Sequence, residues 1–408
     1  MIIEVLDSSF KKIDIIRKYT FAQYTECFRD IGTFKILLRN EAENLYLLDS
    51  KEQYYFLFDS KVLGRVDNIE KSDDSEYDKT IEVSGQLAIV IFNERIVENT
   101  FKENAPSYVY VADMVKANMI ESKTSNRNVN INITYDDAVR LSHICTTALR
   151  QTTGGYIWET MKELFDIDSI GCFFYPNVIP VKLGSTDSNI ESFEFVISAG
   201  VDRRKGNNDG NVAVVFSQSI SNISRTDYKR DTEDYKNVAY IAGEGSGNER
   251  KWYTYEINED IETKLNTGWG RRELWIDARD IQSQNDDGSQ MSVEDYQKLL
   301  KQRAMDRAKS NTATVEYEAT LIQNRQYVYG VDYKLGDWVT VLDNDLGVSI
   351  DAQVISVTTS IANDRMIYDV TLSYGKTDID NVSQMKQLTK RIKELEDVVK
   401  YLESKVGV

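Results

Sequence analysis

The sequence predicts an α+β fold that is mostly β, divided into several domains and ending in a coiled-coil helix. Three observations carry this. Short β-prone runs recur at spacings of about 10–20 residues over residues 1–100, and β patterns return over 193–257 and 313–375. Proline is scarce, at three of 408 residues, whereas tyrosine numbers 24. That balance favours long regular elements with side chains suited to strands and interfaces. The last segment carries an apolar heptad. A chain of 408 residues suggests about two to four domains. Its 41% hydrophobic content suffices for real cores.

The elements follow in order. Residues 1–104 are a first β-domain, a small barrel or a sandwich. Its strands fall at Phe34–Leu38, Tyr54–Phe58, Val62–Ile69 and Thr80–Gly85, with a further apolar run over 87–92. The acidic stretch 71–78 is a solvated loop between two of them. Residues 105–192 read as an α+β insert. Helices are expected at Val111–Ser122, Asp136–Gln151 and Tyr156–Phe165, broken at Gly154-Gly155, and a β pattern resumes at Ile170–Tyr175.

Residues 193–290 are β-rich, with runs at Phe193–Ser198 and Val212–Phe216 around a loop whose Asn208-Asp209-Gly210 signals a turn. The run Tyr235–Gly243 enters a glycine-rich bend and Arg250–Ile257 leaves it, followed by the aromatic segment Trp269–Asp277. Residues 291–378 supply a helix, Ser292–Lys309, and the closing strands. Ser292 is its N-cap, with Asp295 at the third position.

Residues 381–408 form the coiled-coil helix. Met385, Ile392, Val399 and Val406 fill a, and Leu388, Leu395 and Leu402 fill d. Ile or Val at a with Leu at d favours a parallel dimer. Two details favour a trimer instead. Val398 at g widens the apolar face, and Arg391 to Glu396 resembles the Arg-h-x-x-h-Glu pattern of short trimeric coils. An intramolecular helix packed on the body is the remaining alternative.

Several function classes are excluded by composition. The net charge is −17, and nucleic-acid binding needs a basic surface, so no specific nucleic-acid partner is expected. Cys27, Cys145 and Cys172 are odd in number and far apart, so neither a disulfide framework nor a zinc knuckle is expected. They read as buried small hydrophobes. His143 is the only histidine and reads as a satisfied structural residue. It stands two residues from Cys145 on a predicted helix, so the two do not face each other. No signal peptide and no membrane-spanning segment is evident.

Gly243 to Asn248 lacks the third glycine of a dinucleotide loop and is followed by a strand, so it reads as a hairpin bend. The acidic groups Asp231/Glu233/Asp234, Asp286/Asp287 and Asp343/Asp345 read as solvated surface, and the last lacks the glutamate that would complete a calcium loop. No catalytic constellation, metal site or cofactor site emerges.

Several segments together resemble the tail-hub (baseplate-hub) family of tailed phages, as found at the N-terminus of tail-tip or tail-associated-lysin proteins of phages of Gram-positive hosts. These are Gly32–Ile36, Val83–Leu87 with Asn93–Val97, Ser217–Ile223 with Asp234–Gly243, Arg272–Asp280 and Tyr329–Val339. The resemblance covers about residues 1–375. It implies two small β-barrel domains per chain with α+β inserts between them. It also implies a homotrimer, hence a ring of six barrels that adapts a six-fold tail tube to a three-fold tip. The implied partners are the chain itself, a distal tail or tube protein above, a tail-tip, fibre or spike protein below, and the tape measure protein. The implied place is the virion tail tip, reached by a protein made soluble in the host cytoplasm and not inserted into a membrane. The sequence ends directly after the rod, which points away from a lytic role.

The predicted trimerisation residues are Met385, Leu388, Arg391, Ile392, Leu395, Glu396, Val399, Leu402 and Val406. Arginine and aromatic content nominates Tyr235, Asn237, Tyr240, Arg272, Glu273, Trp275 and Asp277 as ring contacts. Two other functions compete with a structural hub. One is a cell-wall or receptor glycan-binding module, with Trp269 and Trp275 as stacking platforms. The other is a peptidoglycan hydrolase with paired carboxylates.

Overall fold

The computed structural model describes residues 1–39, 42–48, 52–73, 79–180, 188–217, 219, 222–245, 250–257, 267–284, 289–309, 311, 314–321, 326–343, 348–362 and 365–373. The predicted coiled coil lies outside these, as do Asp286/Asp287, positions 246–249 of the glycine-rich bend and 344–347 of the turn after Asp343.

The chain opens with seven strands: β1 (Ile3–Leu6), β2 (Lys12–Ile16), β3 (Phe21–Cys27), β4 (Thr33–Arg39), β5 (Tyr55–Phe58), β6 (Val62–Asp73) and β7 (Lys79–Leu87). Period-2 patterning is clearest in β4, where Phe34, Ile36 and Leu38 turn inward. The apolar run expected to continue as a strand is instead a 3₁₀ segment, Ala88–Glu94, which buries Ile89, Val90 and Phe92. A continuous apolar run does not distinguish a strand from a buried helical turn.

Next come β8 (Phe101–Pro106), α1 (Ser107–Val115, extended by a π turn over Lys116–Ile120), β9 (Ile131–Asp136), α2 (Ala138–Ile144), β10 (Thr147–Thr152), α3 (Ile157–Asp168), β11 (Gly171–Pro180) and β12 (Ser188–Ser198). The helix expected over Asp136–Gln151 is shorter. Asp137 starts it, accepting from the Arg140 amide at 3.0 Å, and the chain turns extended at Cys145. Two β-branched threonines follow, and Thr147–Thr152 pairs with β8. His143 is exposed on α2 rather than packed, whereas the three cysteines are buried.

The remainder comprises β13 (Val215–Ser217), β14 (Ile223–Asp231), β15 (Val238–Ala242), β16 (Trp252–Glu256), β17 (Glu273–Asp277), α4 (Val293–Lys309), β18 (Thr314–Leu321), β19 (Trp338–Asp343), β20 (Val348–Ala362) and β21 (Arg365–Ser373). Ser292 caps α4 as expected, its Oγ accepting from the Asp295 amide at 3.1 Å.

The fold is mostly β, but its strands join differently from two separate barrels. One 11-stranded sheet runs β13-β19-β20-β3-β4-β7-β6-β5-β1-β2, with β21 paired to β20. Among the described residues this ladder is open at β2 and β13. The length of β20 explains the continuity. Its first part pairs with β19, its second with β21, and Ser356–Ser360 also pairs with β3. One strand thus belongs to both the N-terminal and C-terminal halves.

Three cores underlie this sheet and its neighbours. The largest runs from Ile3 to Ala199 and takes in α1, α3 and the inner faces of β1–β7. A second gathers Phe28, Phe216, Tyr333, Val339, Val354 and Leu372. A third packs the sheet β16-β15-β17 on α4.

Phe28, just past β3, ties the first core to the second. It is fully buried, its N–H donates to Ile355 O at 2.8 Å, and its carbonyl accepts from Cys172 N at 2.9 Å. Two glycines flank it. A Cβ on Gly171 would lie 2.2 Å from Phe28 O, and a Cβ on Gly336 would lie 2.5 Å from its ring, at a φ of +92°. Arg29 continues the joint by donating to Gln353 Oε1 at 2.8 Å, and Gln353 donates to Gly336 O at 2.9 Å.

Gly336→Ala should therefore cost about 2–4 kcal/mol in urea unfolding. Gly154→Ala, at φ +66° with nothing within 4 Å, should cost only about 1 kcal/mol. Equal costs would show that Phe28 yields freely.

Candidate interaction surface

The sheet β16-β15-β17 has β15 at its centre, antiparallel to β16 and parallel to β17. Alternation turns Ala239, Ile241, Leu274 and Ile276 toward Leu299, Leu300 and Ala304 of α4. The opposite face carries Tyr240, Trp252, Glu256, Glu273, Trp275 and Asp277. Register sets Tyr240 beside Trp275, and Ala242 beside both Trp252 and Asp277. The Trp252 and Trp275 rings meet edge to face with centroids 4.9 Å apart, yet remain 59% and 50% exposed.

Arginines brace these rings. The Arg250 guanidinium lies 5.8 Å from the Trp275 ring, while its Nη2 donates to Asp277 and its Nε to Gly243 O. Arg271 lies 5.7 Å from the Tyr240 ring and donates to Tyr240 Oη at 2.7 Å and Glu273 Oε1 at 2.6 Å. Such contacts contribute about 0.5–1 kcal/mol each at exposed sites. Their larger effect is to hold long side chains in one geometry before any partner arrives.

Four of the seven nominated ring contacts lie on this face, Tyr240, Glu273, Trp275 and Asp277, and a fifth, Arg272, is exposed beside it just before β17. Tyr235 and Asn237 are buried and position the others. The Arg272 guanidinium packs 5.9 Å from the Tyr235 ring. Asn237 Nδ2 donates to Gly270 O at 2.7 Å, and its Oδ1 accepts from Arg272 N at 2.8 Å. This clasp joins the start of β15 to the start of β17. It also fixes the turn Gly268–Gly270, on which Trp269 stands with 103% relative exposure. Arg271 falls within the stretch Arg271–Asp280 that the sequence nominates, whereas Trp252 and Arg250 lie outside it. The alternation Trp252–Thr254–Glu256 is the signal that reveals Trp252.

A second feature lies where α4 meets the large core. Arg150 and Asp306 form a nearly buried pair at 3.5 Å, and Arg303 donates to Gln151 O at 2.7 Å and Asp280 Oδ2 at 3.1 Å. Between α3 and α4, beside Gly154-Gly155, a cleft of about 650 Å³ remains open. Among the described residues, no group of three or more His, Cys, Asp or Glu is placed to hold a metal ion, and no helix is long and apolar enough to cross a membrane.

A family model for the Siphovirus ReqiPepy6 Gp37-like protein matches residues 2–376. The chain belongs to that family. This agrees with the tailed-phage resemblance read from the sequence motifs. No curated protein matches the chain. Among solved structures, the 43 kDa tail protein of prophage MuSo2 from Shewanella oneidensis is 14% identical, with a TM-score of 0.51 over 93% of this chain and 100% of that one. It shares the fold. Prophage tail protein gp18 from Listeria monocytogenes EGD-e is 15% identical, with a TM-score of 0.48 over 96% and 100%. The tail protein from Neisseria meningitidis MC58 is 12% identical, with a TM-score of 0.49 over 91% and 96%.

Two carboxyls of this family member are perturbed in opposite directions. Hydrogen bonds from Arg279 and Arg250 hold Asp277 down at about 2. Its titration followed by NMR should show a midpoint near that value and move toward about 4 in Arg279→Ala. An unmoved midpoint would remove the arginine explanation. Glu26 on β3 goes the other way. Burial lifts it to about 7 against an opposing hydrogen bond from Tyr175. An acid raised on folding contributes its stability below its unfolded pKa and loses it as pH climbs through the folded value. The urea midpoint should therefore fall between about pH 4 and 7, and Glu26→Gln should flatten that slope.

Proposed function

We propose that this chain is a structural tail-hub protein of a phage tail or tail-like particle, working by assembly and not by catalysis. The observation that carries it is the family match over residues 2–376, joined to a pre-braced aromatic and arginine face that the single chain leaves uncovered. Interface cores are enriched in Trp, Tyr and Arg, and a braced patch loses little freedom on association. The family's tailed-phage setting supports the place of action, the virion tail tip.

In this reading three copies associate. The halves carrying β1–β7 and β19–β21 are the two units each copy gives to a ring of six, which adapts the tail tube above to a tip, fibre or spike protein below. Met385, Leu388, Arg391, Ile392, Leu395, Glu396, Val399, Leu402 and Val406 clamp the three chains beneath the ring. Tyr240, Arg272, Glu273, Trp275 and Asp277 line the contacts between bodies. With 66 acidic and 49 basic side chains, the ring would repel DNA phosphates and let DNA slide past.

Light scattering on the full chain should give three times the 46.8 kDa chain mass. Trp275→Ala together with Arg271→Ala should weaken association without changing the circular dichroism spectrum. A dimer would overturn the three-fold adaptor.

A further inference from the structure

We infer that the module of β15–β17 and α4 is a hinged arm that rocks on β10, and that the Arg307–Glu163 ion pair is the latch that holds the α3–α4 cleft in one position. This goes beyond the assembly reading above and does not rest on it, because the arm belongs to a single chain.

The topology hangs the module on two strands. The chain enters it from β14 and leaves it into β18, and these two form a separate antiparallel ribbon, from Ile223↔Leu321 to Asp231↔Thr314. Beyond the last pair, Lys236 N donates to Asn311 O at 2.9 Å, already at the edge of the module. A two-stranded ribbon lacks the neighbours that stiffen a wider sheet and twists more strongly. β18 lies along β21 of the C-terminal half, whereas the module leans on β10 and α3 of the N-terminal half. It is tied to one half and rests against the other.

The resting contact is narrow and polar. Leu149 of β10 meets the apolar core of the module. Beside it Arg150 pairs with Asp306 at 3.5 Å, Arg303 donates to Gln151 O at 2.7 Å, and Gln151 Nε2 donates to Asp280 O at 3.3 Å. These contacts fall on three consecutive residues, Leu149–Gln151, and so make a fulcrum rather than a broad face. Bodies joined without a large hydrophobic interface move relative to one another.

Past the fulcrum, α3 and α4 do not close on each other. A cleft of about 650 Å³ separates them, whereas packed interiors leave few voids larger than a water molecule. Of the charged groups along it, Lys162 pairs with Asp30 at 3.0 Å within the N-terminal half, and Arg303 pairs with Asp280 at 3.1 Å within the module. Arg307 of α4 instead reaches across to Glu163 of α3 at 3.4 Å, with half of its side chain exposed. Salt screens such an exposed pair, but screens the nearly buried Arg150–Asp306 pair much less. Salt therefore releases the latch and leaves the fulcrum. The aromatic face of β15–β17 rides on the arm, so the latch sets the angle at which that face is presented.

The test is a distance measurement between spin labels on the full chain carrying Glu159→Cys on α3 and Lys298→Cys on α4, both exposed, with the three native cysteines buried. A large excess of unlabelled chain keeps the measured distance within one copy. Two distances are expected. The share of the longer relative to the shorter should rise about two- to five-fold between about 20 mM and about 500 mM sodium chloride. Arg307→Gln should produce the same rise at low salt and remove the further response. Exchanging the charges, Arg307→Glu with Glu163→Arg, should restore the shorter distance. A single distance that neither salt nor Arg307→Gln moves would overturn the hinge. A salt response as large in Arg307→Gln as in the unsubstituted chain would overturn the latch. Neither result touches the trimeric mass that tests the hub reading.

Discussion

Everything else in the molecule depends on how closely two chain segments approach Phe28. Its ring and its carbonyl are each faced by a glycine, Gly336 and Gly171. A methyl group on either would separate segments that must touch for the halves of the long sheet to share β20. The polar groups follow the same plan. Arg29, Gln353 and the Gly336 carbonyl form a buried chain of hydrogen bonds directly beside the ring. Burying such groups unpaired would be costly, so they specify one docking geometry rather than add much net stability.

The module formed by β15–β17 and α4 is attached by different means. Its own core is apolar, but its junction to the large core is made largely of arginine–carboxylate and arginine–carbonyl contacts around an open cleft. Polar junctions of this kind hold orientation through direction and charge rather than through buried area. The aromatic face and the Trp269 turn both belong to this module. The surface best suited to partners is thus carried by the part joined least through hydrophobic packing.

Much of this was legible in the sequence where local chemistry dominates. The Ser292 cap, α3, the β15–β16 hairpin and the alternation of β4 follow from patterns spanning a few residues. The misreadings have physical causes. Asp136–Gln151 has a helical stretch of apolar spacing, but Thr146-Thr147 and pairing with β8 redirect it. Residues 88–92 are apolar throughout, so no period reveals their turn. The merging of two expected barrels into one open sheet depends on Ser356–Ser360 finding β3, a pairing across more than three hundred residues that no local pattern encodes. At the candidate surface, composition located β15 and β17. It could not separate Tyr235 and Asn237, which face inward as supports, from Tyr240 and Trp275, which face out.

The shared strand also sets a timetable for the newborn chain. Thr25 on β3 meets Thr358 on β20, 333 positions later. At ribosomal rates of about 5–20 residues per second, the edge of β3 stays unpaired for tens of seconds after it emerges. During that interval the N-terminal half can build its own core, because β1–β7 need nothing downstream for their pairing with one another. Its open edge, however, is a template for strands of other nascent chains. Synthesis in close proximity on one message therefore favours swapped products, in which β20 of one chain completes the sheet of another. The yield of correctly closed subunits is governed by how quickly each chain's own last strands arrive.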